Sequence, residues 1–330
     1  MTRVLLTGAA SFTGAWITAA LSARGAQVIA PLRGDCGGDG MEEGSRLRHL
    51  RIRLAGRTAL LVEHAPTGSH RLLDLVDETG PFDLVCLHGA DVGDFRSAGY
   101  DPLAAAARNC DGIDMLLARL ARQGCRRIVV SGSLFEADEG GADGHRPAIG
   151  AYGLAKTLSW HCLRFAGERN GLAVGKVVIP HPFGPLEKPG LVSELMTSWQ
   201  CGRIASIRHA ARIRDFIPVQ RLAGAYADFA LDMPARPGLY RLAPGGLAES
   251  VGDFTARLAR EMRPLLGRPC RFTTADGPTG HPDDREPAVR INCDPVLDSD
   301  GGDLAAVWRA LAEFYSEHNH ANGRALSING

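Results

Sequence analysis

The segment Val4-Leu5-Leu6-Thr7-Gly8-Ala9-Ala10-Ser11-Phe12-Thr13-Gly14 limits the fold more than any other in these 330 residues. Three consecutive aliphatic residues read as a short buried strand, and the small-residue run after them reads as a tight turn. Ala15 to Arg24 has apolar residues at helical spacing and reads as a helix that Gly25 stops. Gln27 to Leu32 then reads as a second strand. A strand that passes through such a turn straight into a helix directs free helical N–H groups, and the positive end of the helix dipole, at the turn. That is an anion site suited to phosphate. Gly8 allows the turn and Gly14 allows the helix to pack close on the strand. Ser11, at the central position, still allows close approach, and its hydroxyl offers a phosphate hydrogen bond. Thr7, Gly8, Ser11, Phe12, Thr13 and Gly14 are therefore candidate phosphate contacts.

The alternation continues down the chain. Strands are expected at Phe82 to His88, Arg127 to Val130 and Val174 to Ile179, with helices at Leu103 to Arg122 and Tyr152 to Arg169. This pattern predicts an α/β fold, a Rossmann-type doubly wound parallel sheet that binds a dinucleotide. Residues 1–180 are expected to form that domain and to carry the catalytic residues. After Pro180 prolines become frequent and segments shorten, so 181–330 is expected to be mainly a smaller C-terminal substrate-binding lobe, with about 210–245 returning to the first domain. Gly34 to Gly44 and Ala137 to Gly150 read as loops, and the last dozen residues as a frayed tail.

Composition narrows the partners. Lys+Arg and Asp+Glu are equal at 37 each, so no net field draws the chain to nucleic acid or an anionic membrane. The basic stretch from Arg46 to Arg57 is expected to be solvated or to face a nucleotide. Eight cysteines form no CxxC pair or other metal-ligand spacing, so reduced core thiols and no metal are expected. The absence of a leader-like or long apolar segment predicts a cytoplasmic protein.

The end of the second strand reads out the cofactor. A carboxylate there would accept from the ribose hydroxyls of NAD. Pro31-Leu32-Arg33 stands there instead, and the Arg33 guanidinium suits a 2′-phosphate, which favours NADP; Asp35 keeps NAD open. Further on, Tyr152 and Lys156 are four apart and share one helix face. An ammonium near a phenol is expected to lower the phenol's pKa and let it act as general acid or base. A hydroxyl to hold the reacting oxygen is expected from the strand end Val129-Val130-Ser131-Gly132-Ser133, with Ser133 the first choice and Ser131 the second. Of His88, His161 and His181, the first two read as structural, and His181 as a pocket residue just past a strand.

These residues resemble the extended short-chain dehydrogenase/reductases, the nucleotide-sugar epimerases, dehydratases and ketoreductases. The resemblance runs from Thr7 to about Asp294. Thr7 to Gly14 resembles TGxxGxxG, Asn109 to Gly112 resembles NxxG, Phe183-Gly184-Pro185 resembles YGP, and Arg214-Asp215-Phe216-Ile217 resembles RDFI. The resemblance implies a catalytic set of Ser133, Tyr152 and Lys156, with Ser131 and Asn109 beside it. It implies cofactor contacts from Gly89, Ala90, Pro180 and His181. It also implies Arg214 and Arg285 on a substrate diphosphate, His181 in the substrate pocket, and a homodimer. The departures are Ser11 for a glycine, His181 for an asparagine, Pro218 and Gln220 in the segment after Ile217, and no clear acidic adenine contact beyond Glu63-His64.

Three reactions share such a site. A dehydratase of this family carries an Asp-Glu pair after the catalytic hydroxyl, where this chain has Leu134-Phe135. Reduction of a 4-keto nucleotide sugar with NADPH is therefore expected, with Tyr152 as proton donor. NAD-dependent C4 epimerisation is the alternative. Reduction of a non-sugar carbonyl and a non-catalytic NADP sensor are further ones.

Overall fold

The computed structural model describes residues 1–37, 43–95, 97, 99–141, 145–275, 289–297 and 304–326. Six strands alternate with helices through the first half: β1 (Arg3–Thr7), α1 (Phe12–Ala23), β2 (Gln27–Pro31), α2 (Glu43–Gly56), β3 (Leu60–Val62), α3 (His70–Thr79), β4 (Leu84–Leu87), α4 (Pro102–Cys110), α5 (Ile113–Arg122), β5 (Arg127–Ser133), α6 (Gly150–Arg169) and β6 (Ala173–Ile179). They form a parallel sheet of order β10-β6-β5-β4-β1-β2-β3, its seventh strand β10 (Gly238–Leu242) coming from far down the chain. The strand order reverses between β1 and β4, and a crevice opens at their C-terminal ends.

Both faces of the sheet are covered, so its strands are apolar throughout rather than alternating. On one face Leu5, Val85, Ile128 and Val174 pack on α3, α5 and α6. On the other, Val4, Leu6, Cys86, Val129 and Val177 pack on α1, α2 and α8 (Val219–Asp232). The segment expected as one helix from Leu103 to Arg122 is two. Gly112, at φ 67°, breaks it, and a Cβ there would come within 2.6 Å of the Gly68 Cα, so close packing of two backbones enforces the break. Of the basic stretch Arg46 to Arg57, Arg53 and Arg57 are exposed. Arg51, on α2, is instead buried, and its Nε and Nη2 donate to the Leu186 carbonyl at 2.8 and 2.7 Å.

The chain leaves the sheet through Pro180 into β7 (His181–Phe183). There follow α7 (Leu191–Gln200), β8 (Ala205–Ile207) and β9 (Ile213–Pro218). After β10 come β11 (Pro244–Gly245), β12 (Leu247–Ser250), α9 (Val251–Leu266), β13 (Phe272–Thr274), β14 (Asp294–Pro295) and α10 (Ala305–Leu326). The C-terminal residues expected to fray therefore include a helix, assigned as far as Leu326. Its Val307, Trp308, Leu311 and Tyr315 enter a second core with Phe183, Met196, Trp199, Phe216 and Phe254. Phe216 stacks on Phe254 at 3.8 Å and Phe183 on Trp308 at 5.6 Å between centroids. Among the described residues no helix is long and apolar enough to cross a membrane.

One acid sits at the joint between the two cores. Glu187 is buried beside Gly184, Tyr315 and Arg51, and burial pushes its carboxyl from the ordinary 4.5 up to about 8, against the bonds it accepts. The fold holds this proton more tightly than the unfolded chain does. The stabilisation is complete below about pH 4.5 and is lost as pH rises through about 8. Glu187→Gln keeps an acceptor and cannot ionise, so its thermal midpoint should fall less than the wild type's between about pH 5 and 8. Two parallel curves of midpoint against pH would contradict this.

Candidate active site

The phosphate turn and the end of β4 meet backbone to backbone. A Cβ on Gly8 (φ 83°) would lie 2.6 Å from the Gly89 N and Cα, so neither position has room for a side chain. Gly89 N donates to Thr7 Oγ1 at 3.0 Å. A Cβ on Gly14 would overlap the Gly8 carbonyl, and this fixes how closely α1 starts behind the turn. The first-turn N–H groups of Phe12 and Thr13 have no intrahelical acceptor and open on the crevice. A turn of small residues before unpaired helical donors fits a dinucleotide pyrophosphate.

Ser11 does not offer its hydroxyl to that site. Its Oγ accepts from Gly14 N at 3.0 Å as the cap of α1, and meets His88 Nε2 at 3.2 Å. His88, just past β4, also meets Thr13 Oγ1 at 3.0 Å through Nε2, and Ser131 Oγ at 2.8 Å through Nδ1. Ser131 in turn donates to the Tyr226 hydroxyl of α8 at 3.2 Å. These partners assign the ring as the Nδ1–H tautomer, with Nε2 accepting from the two hydroxyls. Burial, with the Lys156 charge, pushes His88 down to about 3, so it stays neutral. Ser131 is thereby committed to a buried chain and is not free to hold a substrate oxygen.

Ser133 is the hydroxyl that reaches Tyr152. Its Oγ accepts from Phe135 N at 3.2 Å, and it hydrogen-bonds the Tyr152 phenol. Tyr152 and Lys156 lie in the first turns of α6, and Gly153 lets the helix start against the Phe135 backbone. Lys156 Nζ donates to the Ser131 carbonyl at 2.6 Å. The expected lowering of the Tyr152 pKa is not found. Burial pushes the phenol up to about 12, the Ser133 bond opposes this, and Glu136 adds to it. Burial also lowers Lys156. At neutral pH the buried phenol is therefore protonated.

Aromatic rings enclose the phenol: Phe95 at 5.1 Å, and Phe135 at 6.2 Å edge-on, with His181 against Phe135 at 5.4 Å. His181 Nε2 accepts from Arg214 Nη1 at 2.6 Å, so the two expected substrate residues are together. Burial and Arg214 push His181 down to about 3. Pro180 and Ala90 flank the same cleft in sequence, but carry no polar side chain to place. Asn109 does not open a helix. It lies near the end of α4, where its amide holds Asp91 N at 2.6 Å and Asp91 O at 3.3 Å, which fixes the loop after β4. Arg33 is exposed and 3.9 Å from Asp91 Oδ1. Asp35 is paired with His64 at 2.6 Å, and with Glu63 they are the one group of metal-ligand type found among the described residues, all three exposed. Arg285 lies outside the described residues.

Residues 4–237 match the model of the NAD dependent epimerase/dehydratase family. The chain belongs to this family. It is thus an enzyme of the extended short-chain dehydrogenase/reductase type. Solved members of similar fold include UDP-glucose 4-epimerase of Thermotoga maritima with UDP-glucose (16% identity, 96% of this chain and 99% of that one, TM-score 0.70). The UDP-glucose 4-epimerase of Thermus thermophilus with NAD gives 19%, 96%, 99% and 0.67. The UDP-glucuronic acid 4-epimerase of Bacillus cereus with UDP-glucuronic acid and NAD gives 14%, 96%, 99% and 0.66. No curated protein matches the chain by sequence.

Phe95, Phe135 and Glu136 are site residues that the sequence reading missed. His88 is a buried, hydrogen-bonded structural histidine, as expected, but nothing in the sequence showed its three hydroxyl partners. The two serines should separate cleanly. Ser133→Ala should cost about 10²-fold in turnover, as loss of one oxyanion donor does. Ser131→Ala should keep most turnover and lose about 1–3 kcal/mol of stability, because His88 and Tyr226 each lose a buried partner. Steady-state rates and denaturant melts check both, and the opposite pattern would exchange their roles.

Proposed function

We propose that this family member reduces the 4-keto group of a nucleotide diphosphate sugar with NADPH. The observation that carries the reading is the grouping of Ser133, Tyr152 and Lys156 at the end of β5 and the start of α6, where a phenol protonated at neutral pH can serve as proton donor. Leu134-Phe135, in place of an Asp-Glu pair after the catalytic hydroxyl, argues against dehydration.

The cofactor would lie with its pyrophosphate on the turn from Thr7 to Gly14 and against Gly89 and Ala90, its nicotinamide end near Tyr152, Lys156, Pro180 and His181. Bound there, the reduced nicotinamide supplies hydride. Ser133 and Tyr152 donate to the substrate carbonyl oxygen. As negative charge develops on that oxygen, Tyr152 gives it the phenolic proton, and Lys156 holds the phenolate. Arg214, braced by His181, takes the substrate diphosphate, with Arg285 as the second guanidinium. Arg33, just past β2, exposed and paired with Asp91 only at 3.9 Å, supports NADP through its 2′-phosphate. Residues 1–180 would carry cofactor and catalysis and 181–330 most of the substrate contacts. The exposed Leu103 and Phe165 of α4 and α6 support a homodimer through these helices. A cytoplasmic setting fits the free thiols.

NAD-dependent C4 epimerisation is the second reading, favoured by the bound NAD and UDP-sugars of structures with this fold. Denaturing the purified protein and identifying what it releases separates the two. The reductase should emerge without cofactor and bind NADPH more tightly than NADH. Arg33→Ala should weaken NADPH by about tenfold, the loss of about one charge-assisted phosphate bond, and leave NADH unchanged. NAD retained through purification would decide for the epimerase.

A further inference from the structure

The second lobe carries a concentration of positive charge beyond the one arginine assigned above. From Arg203 to Arg214 the chain holds four arginines and a histidine and no acid. Two of them sit on one strand. Arg214 is in β9, and Arg212 directly precedes it and extends its ladder: Val251 N donates to Arg212 O at 2.9 Å, one step beyond the pairing of Ser250 with Ile213. Residues two apart in extended chain lie about 6.5 Å apart and share a face. Arg212 and Arg214 are accordingly both half-buried, while Ile213 between them is 41% exposed.

No carboxylate answers this pair. Neither guanidinium has an ion-pair partner among the described residues, and Arg212 Nε is buried without a hydrogen bond. The acids beside them in sequence and register are engaged elsewhere. Glu249 stands opposite Arg214 on β12, and its two oxygens accept from Arg257 Nε at 2.9 and 3.2 Å. Asp215 accepts from Gly246 N at 2.7 Å and Asn292 N at 2.9 Å. Arg214 Nη1 donates to a neutral ring, His181 Nε2, at 2.6 Å, which leaves the guanidinium charge uncompensated. Burial and the neighbouring Arg212 both push Arg214 below its ordinary value, as expected of like charges held side by side. An anion bound between them removes that repulsion and supplies Arg212 Nε with its missing acceptor.

The strand gives the pair a direction. His181 is level with Phe216 in the β7–β9 pairing, so Arg214 lies two residues from that level and Arg212 four. His181 packs on Phe135, and Phe135 on Tyr152. Arg214 is therefore on the side of the catalytic phenol, and Arg212 is one step beyond it. Five residues before Arg212, β8 ends beside a cavity of about 350 Å³ lined by α7, Arg203 and Ser206, a ligand-sized space.

We infer that Arg212 is a substrate-binding residue: it pairs with the phosphate next to the nucleoside, while Arg214 takes the phosphate next to the sugar. The inference rests on the reading of the substrate as a nucleotide diphosphate sugar, and it holds for reduction and epimerisation alike. It adds to Arg214 and Arg285 a guanidinium that the resemblance does not supply. Two adjacent anionic phosphates match two guanidiniums on one strand face, each able to grip two oxygens. The order of the two arginines along β9 then points the sugar at Tyr152 and the nucleoside toward β8.

Calorimetry on the full chain, its cofactor site saturated with NADPH, tests this without turnover. UDP, dTDP and GDP are titrated, and the one bound most tightly is compared with its monophosphate. Arg212→Met keeps the stem and removes the charge. It should weaken the diphosphate and the monophosphate alike by about tenfold, the loss of one charge-assisted contact. Arg214→Met should weaken the diphosphate by as much and leave the monophosphate nearly unchanged. Arg212→Lys should recover most of the affinity lost in Arg212→Met. Melting curves show which variants fold; Arg212→Gln replaces a methionine variant that does not, and loss of folding in both overturns the inference. A folded Arg212 variant that binds the diphosphate like the wild type overturns it too, as does one that loses the diphosphate and keeps the monophosphate. A wild type that binds none of the three diphosphates overturns the nucleotide-sugar reading itself, and the inference with it.

Discussion

The approach of Gly8 to Gly89, two backbones in contact with no side chain between them, sets the geometry from which the rest of the site is built. It lies where the order of the parallel strands reverses, so helices leave the sheet on opposite faces and a crevice opens between them. Because β1 and β4 end at one level there, α1 starts close behind the turn and its first donors stay free. The same closeness brings His88 under the turn, where its ring ties Ser11 and Thr13 to Ser131 and, through Ser131, to Tyr226. Ser11, an unusual residue for this turn, is accommodated by that histidine: its hydroxyl caps the helix and bonds the ring rather than crowding the phosphate site.

Two polar systems thus lie inside a sheet that is otherwise apolar on both faces. The neutral one runs from the turn through His88 to α8. The charged one runs from Glu136 through Lys176 and Glu139 to Arg241 at the sheet edge. They meet at β5, where Lys156 reaches the Ser131 carbonyl and Ser133 reaches Tyr152. Breaking a buried ion pair by removing one partner costs on the order of 3–5 kcal/mol, so such a chain persists only where its geometry is kept whole. The strap of residues 289–295 adds to this. Asn292 Nδ2 donates to Val178 O at 2.7 Å and Pro244 O at 3.0 Å, which joins the second lobe to the strand behind the site.

Local pattern carried much of the architecture. The run Val4 to Leu6 before a glycine turn, and the alternation after it, follow from rules that act within some ten residues, and β1, β2, β4, β5 and β6 lie where those rules put them, whereas the short β3 was not foreseen. What escaped depends on distant partners. The break between α4 and α5 comes from Gly112 pressing on Gly68, 44 positions away. The burial of Arg51 depends on a carbonyl at Leu186. Tyr152 and Lys156 were legible from their spacing, but the direction of the tyrosine's shift was not, because burial is a property of the packed site. Glu136 did leave a trace. Lys176, inside the apolar run Ala173 to Ile179, is a charge in a strand buried on both faces, and such a lysine requires a buried carboxylate somewhere in the fold.

The account turns on hydride passing from a nicotinamide in the β1–β4 crevice to a carbonyl carbon held at Ser133 and Tyr152. Turnover of a 4-keto nucleotide sugar with NADPH deuterated at C4, read by mass and proton resonance of the product, follows that hydride directly. The account predicts one deuterium, from one face of the nicotinamide, bound to sugar C4 in a single configuration. A reduced sugar without deuterium, or an inverted sugar formed with no net consumption of NADPH, would contradict it.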